Sequence, residues 1–212
     1  MACAMGGGGD GTGQKGAAIM TDAVGDLRNA ISACTHCAAH LPAGPRPIVQ
    51  FSPTARILII GQAPGSKVHA SGIPWDDDSG ARLRDWMGLS PEQFYDPAKV
   101  ALMPMGFCYP GKGKSGDLPP RRECAPLWHD QILALLPPDR LTLLVGSYAQ
   151  ARYLDDGGRT LSERVRHGVD DATGQCALPH PSWRVVGWMK REPWFAEAIL
   201  PRLRAAVQQR LS

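Results

Sequence analysis

Four short apolar runs, at 57–60, 100–103, 141–145 and 176–178, constrain the fold of this chain more than any other feature. Each is bounded by turn formers and is apolar along its length apart from Thr142, the pattern of a strand buried on both faces. Segments with helical spacing lie between them, at 81–88, 124–136 and 147–154. Strands alternating with helices give a parallel sheet covered on both sides. The expected fold is a three-layer α/β/α sandwich around a central, mostly parallel four-stranded sheet. A first helix is expected from Asp22 to Cys34, with Val24, Leu27 and Ile31 on its apolar face. Near the end, Pro193 opens an amphipathic segment with Trp194, Phe195, Ile199, Leu203 and Val207, which Pro201 should break or restart.

Residues 1–20 carry glycines at 6 to 9, 11, 13 and 16 with little to bury, so a flexible Gly-rich tail is expected there and a single domain over 21–212. A net charge of +3 does not by itself mark a nucleic-acid binder, so clustering of the charges has to decide. Six cysteines in 212 residues are too sparse for a disulfide scaffold, and no export signal is visible. No apolar run approaches the roughly 20 residues that cross a bilayer. A cytoplasmic protein acting as a monomer is the expectation.

In a sheet of this kind ligands bind beyond the carboxyl ends of the strands. Two stretches stand there: "GQAPG" (61–65) after the first run and "LPHPSWR" (178–184) around the end of the last. Alone, the first is a tight turn or a near miss to a phosphate loop, in which Val68 replaces the magnesium-binding hydroxyl and Pro64 removes a backbone donor. Cys34 and Cys37 form a C-x2-C pair, whereas Cys108 and Cys124 are sixteen positions apart and cannot form the second knuckle of a zinc ribbon. Four unrelated core thiols are the alternative, and Cys3 and Cys176 fall outside the set. Basic residues cluster in two loops, with Lys112, Lys114, Arg121 and Arg122 in one and Arg184, Lys190 and Arg191 in the other. With Trp183 and Trp188 interleaved, these loops suit phosphate contacts and a wedge into stacked bases.

Taken together with "SGIPW" (71–75), the paired strand-end motifs resemble those of the uracil-DNA glycosylase superfamily over about residues 30–200. The cysteine layout resembles that of its iron-sulfur subgroup, often called family four. The resemblance implies a monofunctional glycosylase that flips uracil out of single- or double-stranded DNA, hydrolyses the N-glycosidic bond and leaves an abasic site. It implies that Trp75 stacks on the flipped base, that amides of Gly61, Gln62 and Ala63 meet a base carbonyl, and that His180 stabilises charge on the departing base. It further implies a structural [4Fe-4S] cluster on Cys34, Cys37, Cys108 and Cys124, with no dissociable cofactor. DNA contacts would fall to Lys112, Lys114, Arg184, Lys190 and Arg191.

Two departures from the family pattern stand out. The first motif lacks the acidic residue that holds the attacking water, leaving Gln62, Asp76, Asp77, Asp78 and His69 as candidates. Pro104 stands where the iron-sulfur subgroup has an Asn that reads the pyrimidine edge, so backbone groups near Met105, Gly106 and Phe107 would replace it, or the pocket accepts other deaminated bases. A non-catalytic binder of damaged DNA, and an iron-sulfur protein acting on another nucleotide or in redox signalling, are the competing readings.

Overall fold

The computed structural model describes residues 11–155 and 157–212, with side chains described from residue 22 onward. The strands are β1 (Ile57–Ile60), β2 (Val100–Leu102), β3 (Lys112–Gly113), β4 (Gly116–Asp117), β5 (Leu141–Val145) and β6 (Gln175–Leu178). The helices are α1 (Gly11–Ser32), α2 (Ser66–Ser71), α3 (Asp78–Met87), α4 (Pro91–Phe94), α5 (Cys124–Leu133), α6 (Ser147–Tyr153), α7 (Leu161–His167), α8 (Val185–Arg191) and α9 (Leu200–Leu211). Four strands form one sheet in the order β2-β1-β5-β6, and every pairing in it is parallel.

Side chains alternate between the faces of this sheet, and both faces are buried. Ile57, Ile59, Leu141, Leu143 and Leu178 point into a core with Leu83 and Trp86 of α3, Val165 of α7 and Leu203 and Val207 of α9. Leu58, Ile60, Ala101 and Leu144 face the other way, against Val24, Leu27 and Ile31 of α1, Ile132 of α5 and Ala149 of α6. This two-sided burial explains why the strands read as almost continuous apolar runs. The result is the α/β/α sandwich expected from the sequence.

Three boundaries differ from expectation. The helix expected from Asp22 begins at Gly11 and ends at Ser32, so it takes in part of the Gly-rich stretch; residues 1–10 and Cys3 lie outside the described residues. The segment after Pro193 divides into a π-helical turn, Phe195–Ile199, and α9. Pro201 sits in the first turn of α9, where its missing N–H leaves no helical hydrogen bond unmade. The basic loop after β2, expected to be irregular, contains the antiparallel hairpin of β3 and β4. Among the described residues no helix is long and apolar enough to cross a membrane.

Candidate functional site

The chain runs from β1 to the edge strand β2 and then returns to β5 on the other side of β1. Loops leaving β1 and β5 therefore diverge, and a crevice opens between them at the carboxyl end of the sheet. A cavity of about 530 Å³ occupies this crevice. Its walls include Gly61, Gln62, Ala63 and Pro64 after β1, Tyr148 after β5 and His180 after β6, so motifs about 120 residues apart in sequence meet in one place.

Trp75 is held across the cavity by an over-determined backbone. Its φ of 58° makes it the one non-glycine residue with positive φ among the described residues, a conformation that costs free energy unless the surroundings enforce it. Its carbonyl accepts from Arg84 Nη1 and Tyr95 Oη, each at 3.4 Å. A β-carbon on Gly80 would fall 1.8 Å from that carbonyl oxygen, so only glycine fits there. The indole lies against His180 with ring centroids 5.9 Å apart and planes tilted by 29°. It also presses on Gly61, where a β-carbon would stand 2.6 Å from Trp75 Cζ2.

His180 is fixed from several sides. Arg82 of α3 donates to the Pro181 carbonyl at 2.5 Å. Gln150 of α6, fully buried, donates to the carbonyls of Leu144 and Leu178 and ties the ends of β5 and β6 together. Burial holds the imidazole below its ordinary pKa, against the opposing pull of Asp77 and Asp117. The ring is therefore neutral near pH 7 and offers one N–H donor.

Gln62 and Ala63 line the cavity, and among the described residues their amides have no acceptor. Gly106 and Phe107 are placed differently from the sequence reading. The amides of Met105 and Gly106 donate to the carbonyls of Gly61 and Gln62 at 2.9 and 3.0 Å, prolonging the β1–β2 ladder beyond the strands. Phe107 is buried and its amide points at Cys124 Sγ, 3.5 Å away. Neither residue reaches the cavity wall, whereas Pro104 does. The Pro104 carbonyl accepts from His129 Nε2 at 3.0 Å, while Tyr153 Oη donates to His129 Nδ1 at 2.6 Å.

Of the candidates for holding water in the loop after the first motif, Asp77 alone lines the cavity. Its Oδ1 also caps α3 through the Gly80 amide at 2.8 Å. Asp78 is exposed and pairs with Lys67, and His69 packs its ring on Tyr109. Asp117, on the hairpin, is a second cavity-lining carboxylate that sequence reasoning missed. Its only sequence signal is the Gly-flanked turn "GKSGD".

The basic residues separate into two groups. Lys112 and Lys114 are exposed on the hairpin and Arg184 lines the cavity mouth, with its guanidinium over the Trp183 ring. Lys190 and Arg191 are exposed in the last turn of α8, away from the cavity. Trp183 is 75% exposed, as a wedge requires. Trp188 instead packs edge-on against Trp194 and Phe195 and belongs to the core.

Cys34, Cys37, Cys108 and Cys124 line a single cleft, and none is in a disulfide. Burial raises the thiols of Cys37, Cys108 and Cys124, the last to about 11, and repulsion between neighbouring thiolates adds to this. Gathering thiols in one cleft favours a cationic partner that would take them as thiolates. Buried N–H donors without partners, Arg121 Nε and Trp128 Nε1, belong to residues that line the same cleft and suit sulfur acceptors. Thiols with N–H donors beside them are the kind of donor set that iron-sulfur groups take. The free space is only about 10 Å³, so the side chains must swing outward to admit one. Among the described residues no group of three or more His, Cys, Asp or Glu is arranged to hold a metal ion. Cys176 lies apart in β6, where burial pushes its thiol up to about 12.

A family model described as the Uracil DNA glycosylase superfamily matches residues 48–204, and the chain belongs to that superfamily. Membership points to a DNA-binding hydrolase of glycosidic bonds in DNA repair.

Proposed function

We propose that the protein is a monofunctional glycosylase that excises uracil from DNA and leaves an abasic site. The observation that carries this reading is the convergence of Trp75, His180 and the unpaired amides of Gln62 and Ala63 on one cavity. A flipped base entering there would stack on the indole and meet fixed N–H donors. As the bond to the sugar breaks, charge accumulates on the base oxygen, and a neutral His180 donating its N–H lowers the barrier. Asp77 lines the same wall, with its Oδ1 taken up by the cap of α3.

Pro104 on the cavity wall favours a second reading of substrate range, in which hypoxanthine or xanthine is accepted as well, because no amide side chain there selects the pyrimidine edge. A structural [4Fe-4S] cluster on the four cysteines would crosslink the segment after α1 to the loop between β2 and α5. Lys112, Lys114 and Arg184 would grip phosphates at the cavity mouth, with Lys190 and Arg191 further out. The expected setting is a cytoplasmic monomer.

Incubating the purified protein with oligonucleotides containing uracil, hypoxanthine, xanthine or thymine, followed by alkaline cleavage, tests the assignment. Cleavage of the uracil strand with none of the thymine strand is expected. No cleavage of any strand would leave a DNA-damage binder as the better reading.

A further inference from the structure

The first motif of this chain has no carboxylate, yet two carboxylates from other segments meet above its last glycine. A β-carbon built on Gly65 would lie 3.4 Å from Oδ2 of Asp117 and 4.0 Å from Oδ2 of Asp77. Asp77 is committed to capping α3. Asp117 comes from the hairpin, some fifty residues further along the chain. Tyr109 donates to its Oδ1 at 3.4 Å, and among the described residues its Oδ2 accepts no hydrogen bond. Arg184 donates from Nη2 to the Ser115 carbonyl at 2.6 Å, tying the hairpin to the loop that carries His180. The hairpin is thus anchored over the cavity with one carboxylate oxygen free.

We propose that Asp117 is a catalytic carboxylate of this site, holding the attacking water against the anomeric carbon of the sugar. The proposal rests on the glycosylase reading given above. In the step it serves, the water oxygen bonds to C1′ as the C1′–N bond breaks, and the electron pair of that bond leaves with the base. The proton released by the water passes to Oδ2 of Asp117, and the base anion is protonated from solvent. A negative carboxylate beside the sugar also opposes the positive charge that grows there.

The test uses the full chain and whichever base it releases fastest, comparing the parent with Asp117→Asn and Asp117→Ala. Single-turnover excision is measured alongside affinity for a non-cleavable 2′-fluorinated strand. Asp117→Asn should lower the rate by roughly 100-fold, the range of a positioned general base, with affinity unchanged or tighter. Added formate should restore part of the rate of Asp117→Ala, which a merely structural hairpin residue would not allow. An Asp117→Asn rate within about threefold of an active parent overturns this role and leaves the glycosylase reading standing. A rate loss matched by weaker binding, without recovery by formate, also overturns it. A parent that releases no base at all overturns the glycosylase reading itself.

Discussion

At the scale of single residues, Trp75 shows how the site is built from constraints rather than from one dominant contact. Its left-handed backbone is held by Arg84, Tyr95 and the absence of a side chain at Gly80, and its ring is set by Gly61 and His180. Gly61→Ala would drive a methyl group into the indole, so excision should fall by up to roughly 100-fold, the effect of misplacing a positioning group by about 1 Å. Trp75→Phe should be mild and Trp75→Ala severe, as measured by single-turnover rate and affinity for a non-cleavable strand. Equal losses in both Trp75 variants would mean that the ring serves packing instead. The placement of His180, Trp75 and Gln62 at one cavity was legible in the sequence because each belongs to a short local motif. The placement of Asp117 and Arg82 was not, since it depends on contacts spanning about 50 to 100 residues. The placement of Gly106 and Phe107 off the cavity wall was not legible, because prolongation of the β1–β2 ladder through the amides of Met105 and Gly106 is a pairing that no single segment announces.

Among elements, α3 organises the cavity. Its capping residue Asp77 lines the wall, Arg82 holds the loop after β6, and Arg84 holds the Trp75 carbonyl. The strands of the main sheet were legible because burial on both faces leaves few polar interruptions, Thr142 in β5 being one. The short helices α2 and α4, at six and four residues, are too brief to show periodicity. The hairpin was obscured by its two-residue strands. A different link joins α5, α6 and the end of β2 through His129, whose burial lowers its pKa to about 4. Above pH 6.5 this imidazole is neutral in both folded and unfolded chains. As pH falls from about 6.5 through about 4, the unfolded chain takes up a proton that the folded chain refuses, so stability is lost by up to about 3 kcal/mol. His180, lowered in the same direction, adds a loss of the same sign. Urea midpoints should therefore drop across this window, and His129→Gln should flatten the drop; identical pH slopes would contradict the role of His129.

Across the whole molecule, the sheet, the cysteine cleft and the hairpin belong to one arrangement. Cys108 and Cys124 bracket the hairpin in sequence, and both line the cleft with Cys34 and Cys37. A cluster bound there would pin both ends of the loop that brings Asp117 and the basic residues to the cavity mouth. Purified protein should then be brown, with broad absorption near 400 nm and about four irons per chain. An iron-free, colourless and fully active preparation would exclude the cluster. The central claim is that motifs at opposite ends of the chain form one charge-stabilising site, and His180→Ala tests it most directly. Its single-turnover excision rate should fall by roughly 100-fold or more, with affinity for a non-cleavable uracil strand changed far less. A folded His180→Ala protein that excises uracil within a few-fold of the parent rate would contradict the account.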